Sequence, residues 1–290
     1  MKKTKFTLCT ACILFFFALI SLSAKENTNS PKSVVALSKS TAQMWVLAGG
    51  KLTGTTQDAL ELNKNAINIG SLTTVNLESI ILLKPDLVIL TQDIPLHKKL
   101  SINLGELKIK TYIVDVKNFS DYEKVMKDFT DLTGREDLYK KNVVQVKNEI
   151  NSIIAKANAE KITEKSDTSP TYLLLRISAT KNKVLKNHFA NEIFQNLELV
   201  SCIDLNSALD EIGIEAIVSL NPDYIFIIPQ GNEKNAMESF HHSYSKNPVW
   251  QNLKATKLNQ VEVLPKDLFN FKPNEKWAEA YRYIYEIIEK

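Results

Sequence analysis

Only eight glycines, three cysteines and four histidines occur in the 290 residues, and no apolar run reaches the length of a membrane span, about 20 residues. Each scarcity removes a class of function. With so few glycines there is no dinucleotide fingerprint, and the one phosphate-loop look-alike, "AGGKLTGTT", fails because Trp45 and Leu52 stand where such a loop needs Gly and Ser or Thr. No Gly-x-Ser-x-Gly elbow and no His-Glu-x-x-His pair is present, so nothing in the chain announces catalysis, and the expectation is a protein that is not an enzyme. His241 and His242 lack a third ligand at metal-site spacing.

Positive charge in excess is also missing once the first 24 residues are set aside. Lys2, Lys3 and Lys5 precede an apolar run from Cys12 to Leu22 and then small residues, the pattern of a secretory signal peptide over 1–24. The remainder carries 33 basic and 33 acidic residues, which argues against nucleic acid as a partner. Cys9 and Cys12 lie at or before the start of the apolar run, not just after it where a lipid anchor would attach, so the expected product is exported, periplasmic or extracytoplasmic, and soluble. Cys202 would then be the sole cysteine, with no disulfide available; stability must come from buried apolar surface.

What is present is a repeated phrase. "NLESIILLKPDLVIL" at 76–90 returns as "GIEAIVSLNPDYIFI" at 213–227, with Glu78 and Glu215 each seven residues before a Pro-Asp pair. "SVVALS" at 33–38 followed by "TAQMWVLAG" reads as strand into helix, with Trp45 packing against the sheet. "DLVIL" and "KTYIVDV" are further strands, and "SDYEKVMKDFTDLTG" is a helix with Ser120 as its expected N-cap and Gly134 as its stop. "TYLLLRIS" at 171–178, "FANEIFQNL", the echoed phrase and "QVEVLP" at 260–265 repeat the order. Between the halves, Leu138, Val143, Val146, Ile150, Ile153 and Ala157 recur largely at three- and four-residue steps, giving a long amphipathic helix. The expectation is an α/β chain of two similar lobes: 25–134, each lobe with a mainly parallel sheet flanked by helices, an interlobe helix at 135–161, and 162–290.

In such sheets ligands gather beyond the carboxyl ends of the strands. That places Ser38, Lys39, Ser40 and Thr41 after the first strand, and Thr91, Gln92 and Asp93 after the second. Lobe two offers Arg176, Ser178 and Lys181, then Gln230 and Asn232. Lys39, Arg176 and Lys181 could neutralise an anion, while Phe269 and Phe271 could wall a flat ligand. His97 and His188 lie in loops near these ends and are the candidate metal ligands. Taken alone, Glu78 and Glu215 are acidic residues in first turns, favoured there by the helix dipole.

Taken together, the leader, "GSLTTVNLESI" from Gly70, "LKPDLVI", the single long connecting helix, "EAIVSLNPDYIF" and "NPVWQNLKATKLNQVEVLP" resemble the iron-complex and cobalamin family of ABC-transporter substrate-binding proteins. The resemblance implies the two-lobed, class III periplasmic-binding-protein-like fold and a ligand held in the cleft. It implies a monomer that needs no cofactor and delivers a small metal chelate, an iron complex such as a siderophore or haem, to a permease dimer with its ATPase. Glu78 and Glu215 match the positions at which the family's lobes meet the permease. Cobalamin, another metal complex, or a surface ligand-binding role without transport are the alternatives. No Tyr stands in 70–76 or near 91–97, which weakens a tyrosinate-ligated haem.

Overall fold

The computed structural model describes residues 30–161, 168–206 and 210–290, so the leader expected over 1–24 lies outside the described residues. In lobe one, β1 (Val34–Ala36) leads into α1 (Lys39–Leu47). β2 (Gly54–Thr55) and β3 (Ile67–Asn68) follow, then a small antiparallel ribbon of β4 (Gly70–Ser71) and β5 (Thr74–Val75). α2 (Leu77–Leu82), β6 (Leu87–Thr91), α3 (Pro95–Glu106), β7 (Thr111–Val114) and α4 (Phe119–Thr133) complete it. The sheet order is β3-β2-β1-β6-β7, every pair parallel. All of β1 and β6 is buried, because helices cover both faces; this is why those strands read as unbroken apolar runs without alternation.

The rod between the lobes is continuous helix: α5 (Glu136–Tyr139), one π turn at Lys140–Val144, and α6 (Gln145–Lys161). Thr133 and Asn142 donate to the carbonyls of Ala48 and Leu47, tying its start to the end of α1. Farther along, Lys156 lies 4.9 Å from the ring centre of Tyr285 and Arg282 pairs with Glu149, which fixes the rod against the last helix.

Lobe two contains β8 (Thr171–Ile177), β9 (Asn182–Val184), α7 (Ala190–Asn196), β10 (Val200–Ser201), α8 (Ile214–Leu220) and β11 (Tyr224–Pro229). α9 (Glu233–Phe240), α10 (Lys254–Lys257), β12 (Val261–Val263), α11 (Lys266–Phe269) and α12 (Trp277–Ile288) follow. Its path is β10-β8-β11-β12, parallel, with β9 folded back antiparallel on β8. The expected class, two similar α/β lobes joined by a long helix, is the one the chain adopts.

The repeated Pro-Asp pair has a local structural job. Asp86 Oδ2 accepts the backbone N–H groups of Lys32 and Ser33 at 2.7 and 2.9 Å, and Asp223 Oδ2 accepts the Thr171 N–H and hydroxyl at 2.7 and 2.8 Å. Each aspartate thus caps the entry to its lobe's first strand, satisfying donors that the sheet leaves open. The double glycine of the false phosphate loop is explained by packing: a Cβ on Gly50 would fall 2.1 Å from a ring atom of Trp45, which is buried as expected. Gly134 ends α4 in the left-handed region at φ 71°, but the N-cap is Asn118, whose side chain accepts from the Asp121 N–H, not Ser120.

One apolar cluster runs behind both lobes. Trp277, fully buried, meets Phe119 of lobe one and Phe189 of lobe two edge-on, with ring centres 5.7 and 5.3 Å apart. Above it, Gln43 donates to Glu275 and Asn274 donates to Ser40 O and Gln43 Oε1, while Glu192 accepts the Phe119 N–H. A back wall of this kind resists large rotation of one lobe against the other.

Candidate ligand-binding cleft

The ends of β1, β6, β8 and β11 open into a cavity of about 420 Å³ between the lobes. From lobe one come Ser38, Lys39, Ser40, Thr41, Thr91 and Asp93. Lobe two supplies Arg176, Asn187, His188, Gln230, Phe271 and Lys272. Ser38 caps α1, accepting from the Thr41 N–H, and both are buried; Ser40 Oγ is buried with no partner. The N-terminal end of α1 therefore forms part of the cavity wall.

Arg176 is the residue that burial singles out. It stands near the end of β8, with Ile228 and Lys183 as its strand neighbours, and its Nε is buried without a hydrogen-bond partner. Desolvation lowers its pKa, and the Asp93 charge works in the opposite direction. A half-buried guanidinium that lines the cavity suits an anionic oxygen there. Lys39 is different, since Glu61 already pairs with it. Lys272, only 18% exposed, pairs with Asp93 across the cleft at 3.4 Å.

Several expected site residues go elsewhere. Phe269 has no exposed surface; it stacks on Phe189 with ring centres 6.3 Å apart and belongs to the core, whereas Phe271 is 43% exposed and lines the cleft. Lys181 sits on the β8–β9 hairpin facing Glu211, and Gln92 is not among the cleft-lining residues. Ser178 closes that hairpin by accepting the Lys181 N–H, and Asn232 caps α9.

His97 is corrected outright as a metal ligand. It is fully buried, its Nδ1 accepts the Thr91 N–H at 3.2 Å, and its Nε2 meets Leu72 O at 3.1 Å. Both ring nitrogens are spent bracing the corner after β6, and burial pushes its pKa down. His188 does line the cleft, but its Nδ1 accepts the Ala190 N–H at 3.2 Å. Desolvation, Arg176 and Lys272 push its pKa down to about 3, so it stays neutral beside two cations. With Nδ1 already accepting a backbone N–H, the ring is fixed as part of the cavity wall.

Lys272, Asn187 and Asn270 line the cavity without having been expected there. The position of Lys272 next to Phe271 was the available signal. Glu78 and Glu215 are exposed in the first turns of α2 and α8, away from the cavity walls.

A family model described as Periplasmic binding protein matches residues 34–268. The chain belongs to that family. The Fe(3+)-citrate-binding protein YfmC of Bacillus subtilis (strain 168) is 27% identical over 205 residues, 69% of this chain and 60% of that relative. The chain thus spans about three-fifths of that relative's length. An ABC transporter substrate-binding protein from Listeria monocytogenes EGD-e superposes with a TM-score of 0.73 at 18% identity, covering 89% of this chain and 98% of the other. Staphylococcus aureus SirA complexed with staphyloferrin B gives 0.72 at 21% identity, covering 90% and 94%. These likenesses in structure establish the shared fold. Among the described residues no helix is long and apolar enough to cross a membrane.

Proposed function

We propose that the protein is the extracytoplasmic binding component of an ABC importer and captures an anionic ferric chelate, with carboxylates among its iron-binding groups, in the cleft between the lobes. The observation that carries this reading is that Arg176, whose buried Nε has no hydrogen-bond partner, lines a cavity of small-ligand size together with the N-terminal end of α1. Arg176 takes a carboxylate or catecholate oxygen, the α1 terminus with Ser40 takes another, and Phe271 covers the chelate's apolar edge. Since the iron arrives already coordinated, no side chain need ligate it. The packed back wall keeps the cleft largely preformed, so little ordering opposes binding. Glu78 and Glu215, one on each lobe, then meet cationic residues of a two-fold permease, and the bound complex is released without chemistry on the ligand.

Isothermal titration of the leader-free protein with ferric citrate, ferric catecholate and hydroxamate siderophores, haem and cobalamin tests the reading. Saturable one-to-one binding of a carboxylate-bearing ferric chelate is expected. Preference for cobalamin or haem over every anionic ferric chelate would refute it.

A further inference from the structure

The cation cluster in the cleft is not empty of counter-charge. Asp93, at the corner after β6, is the lobe-one residue that reaches Lys272 of lobe two, and its charge is also felt by Arg176. One carboxylate therefore faces two cations, and Arg176 still has an unpartnered Nε. Asp58 also lines the cavity, while Lys39 is already matched by Glu61.

The two partners of the cross-cleft pair are unequal. The Lys272 side chain is 18% exposed and the Asp93 side chain 56%, so the lysine is fixed in the wall and the carboxylate stands at the rim. Asp93 Oδ2 also accepts from the Thr91 hydroxyl at 3.3 Å, on a backbone corner held by His97. Its side chain can turn to solvent without moving that corner. The matching position of lobe two, 137 residues on, is Gln230, which lines the same cavity without charge. The corner does not require an acid, and its presence in one lobe alone calls for a reason tied to the ligand.

We propose that Asp93 is a resident stand-in for the ligand's carboxylate, pairing with Lys272 in the empty cleft and displaced when an anionic chelate binds, so that it sets the minimum negative charge a ligand must carry. A monoanion only exchanges one carboxylate for another at Lys272 and gains little. A chelate with two or more anionic groups replaces Asp93 at Lys272 and also meets the Arg176 guanidinium on the cavity wall. The proposal rests on the anionic-chelate reading above and adds the selection step to it.

The test combines Asp93→Asn with a readout that needs no ligand. By titration, Asp93→Asn should bind ferric citrate about three- to fivefold more tightly, the size expected on freeing a partly exposed ion pair. It should also gain affinity for iron-free monocarboxylates such as acetate, and Lys272→Gln should weaken ferric citrate. In parallel, spin labels at Lys64→Cys and Lys234→Cys in a Cys202→Ser background report the distance between the lobes. Raising ionic strength should broaden that distance distribution in the ligand-free parent, and Asp93→Asn should be broad already at low salt. Unchanged or weaker ferric citrate binding by Asp93→Asn overturns the proposal. If neither protein binds any ferric chelate, the functional reading fails. The distance readout still decides the pairing, because distributions insensitive to both salt and Asp93→Asn would overturn it independently.

Discussion

Set side by side, the two lobes agree where they support the strands and differ where they line the cavity. Positions 137 residues apart correspond: Asp86 with Asp223, Glu78 with Glu215, Lys39 with Arg176, Asp93 with Gln230. The first pair does the same work in both lobes, capping the entry of the first strand. The second pair stands exposed in equivalent first turns. At the third pair the lobes part. β1 ends at Ala36 and Lys39 opens a helix, whereas β8 runs on to Ile177, so Arg176 is carried on a strand and held enclosed. Duplication explains the scaffold; divergence at the strand ends makes one lobe supply the open cation and the other the helix terminus and the resident acid.

The largest effect should come from breaking the symmetric pair outside the cleft. Glu78→Ala combined with Glu215→Ala is expected to abolish uptake in cells or reconstituted vesicles while leaving ligand affinity unchanged by titration. Each single variant should retain part of the transport, since the proposed docking keeps one of its two contacts. Reduced affinity in the purified double variant would instead place these residues in folding or binding.

Next in size are the strand caps. Asp223→Asn should cost about 2 kcal/mol in denaturant unfolding, because its carboxylate holds the Thr171 amide and hydroxyl and also pairs with Lys254. Asp86→Asn should cost nearer 1 kcal/mol, its two amide partners lying in a solvent-screened corner. Both carboxyls titrate below their ordinary value of 3.8. For Asp223, burial works against the charge, but Lys254 and Thr171 outweigh it. For Asp86 the Ser33 and Lys32 amides dominate. A depressed carboxyl pKa stabilises fully above the unfolded value and is lost as pH falls through the folded one, so the gap between each variant and the parent should close below about pH 4. An undiminished gap at lower pH would mean the caps act through shape alone.

A smaller effect separates the two histidines. Both have pKa values pushed below 6.5, chiefly by desolvation, so the folded protein binds fewer protons than the unfolded chain. Their contribution is complete above about pH 6.5 and erodes as the pH drops beneath it. Melting temperature should therefore fall between neutral and mildly acidic pH, and His188→Gln should flatten part of that slope. A slope unchanged in His188→Gln would show that the cleft histidine remains hydrated.

Much of this was visible in the residues. Buried parallel strands announce themselves as apolar runs, which is why β6, β11 and residues 172–175 of β8 stand out, and the rod is readable from its helical spacing even though a π turn interrupts it at Lys140–Val144. Two-residue strands such as β2, β3 and β10 leave no period to read; their pairing is decided by the neighbouring strands. The rule that ligands collect at strand ends singles out Ser38, Lys39, Arg176 and Gln230, and these four line the cavity. What that rule cannot supply is direction. Phe269 and Phe271 are two residues apart at the end of a short helix, and only the packing of Phe189 beneath them decides that one is core and the other cleft. His97 looked like a loop ligand because a buried brace and an exposed ligand share the same local sequence, and its partners Thr91 and Leu72 are brought to it by the fold.

The claim on which the rest depends is that the two pseudo-equivalent cations are unequal, Arg176 lining the cavity with an unpartnered Nε and Lys39 already paired. Titrating ferric citrate into Arg176→Gln and Lys39→Gln, with the parent alongside, tests this directly. Loss of a charge-assisted, enclosed hydrogen bond should weaken binding by Arg176→Gln about 10- to 100-fold, while Lys39→Gln should change it by only a few-fold. Equal losses in the two variants, or full affinity in Arg176→Gln, would contradict the account.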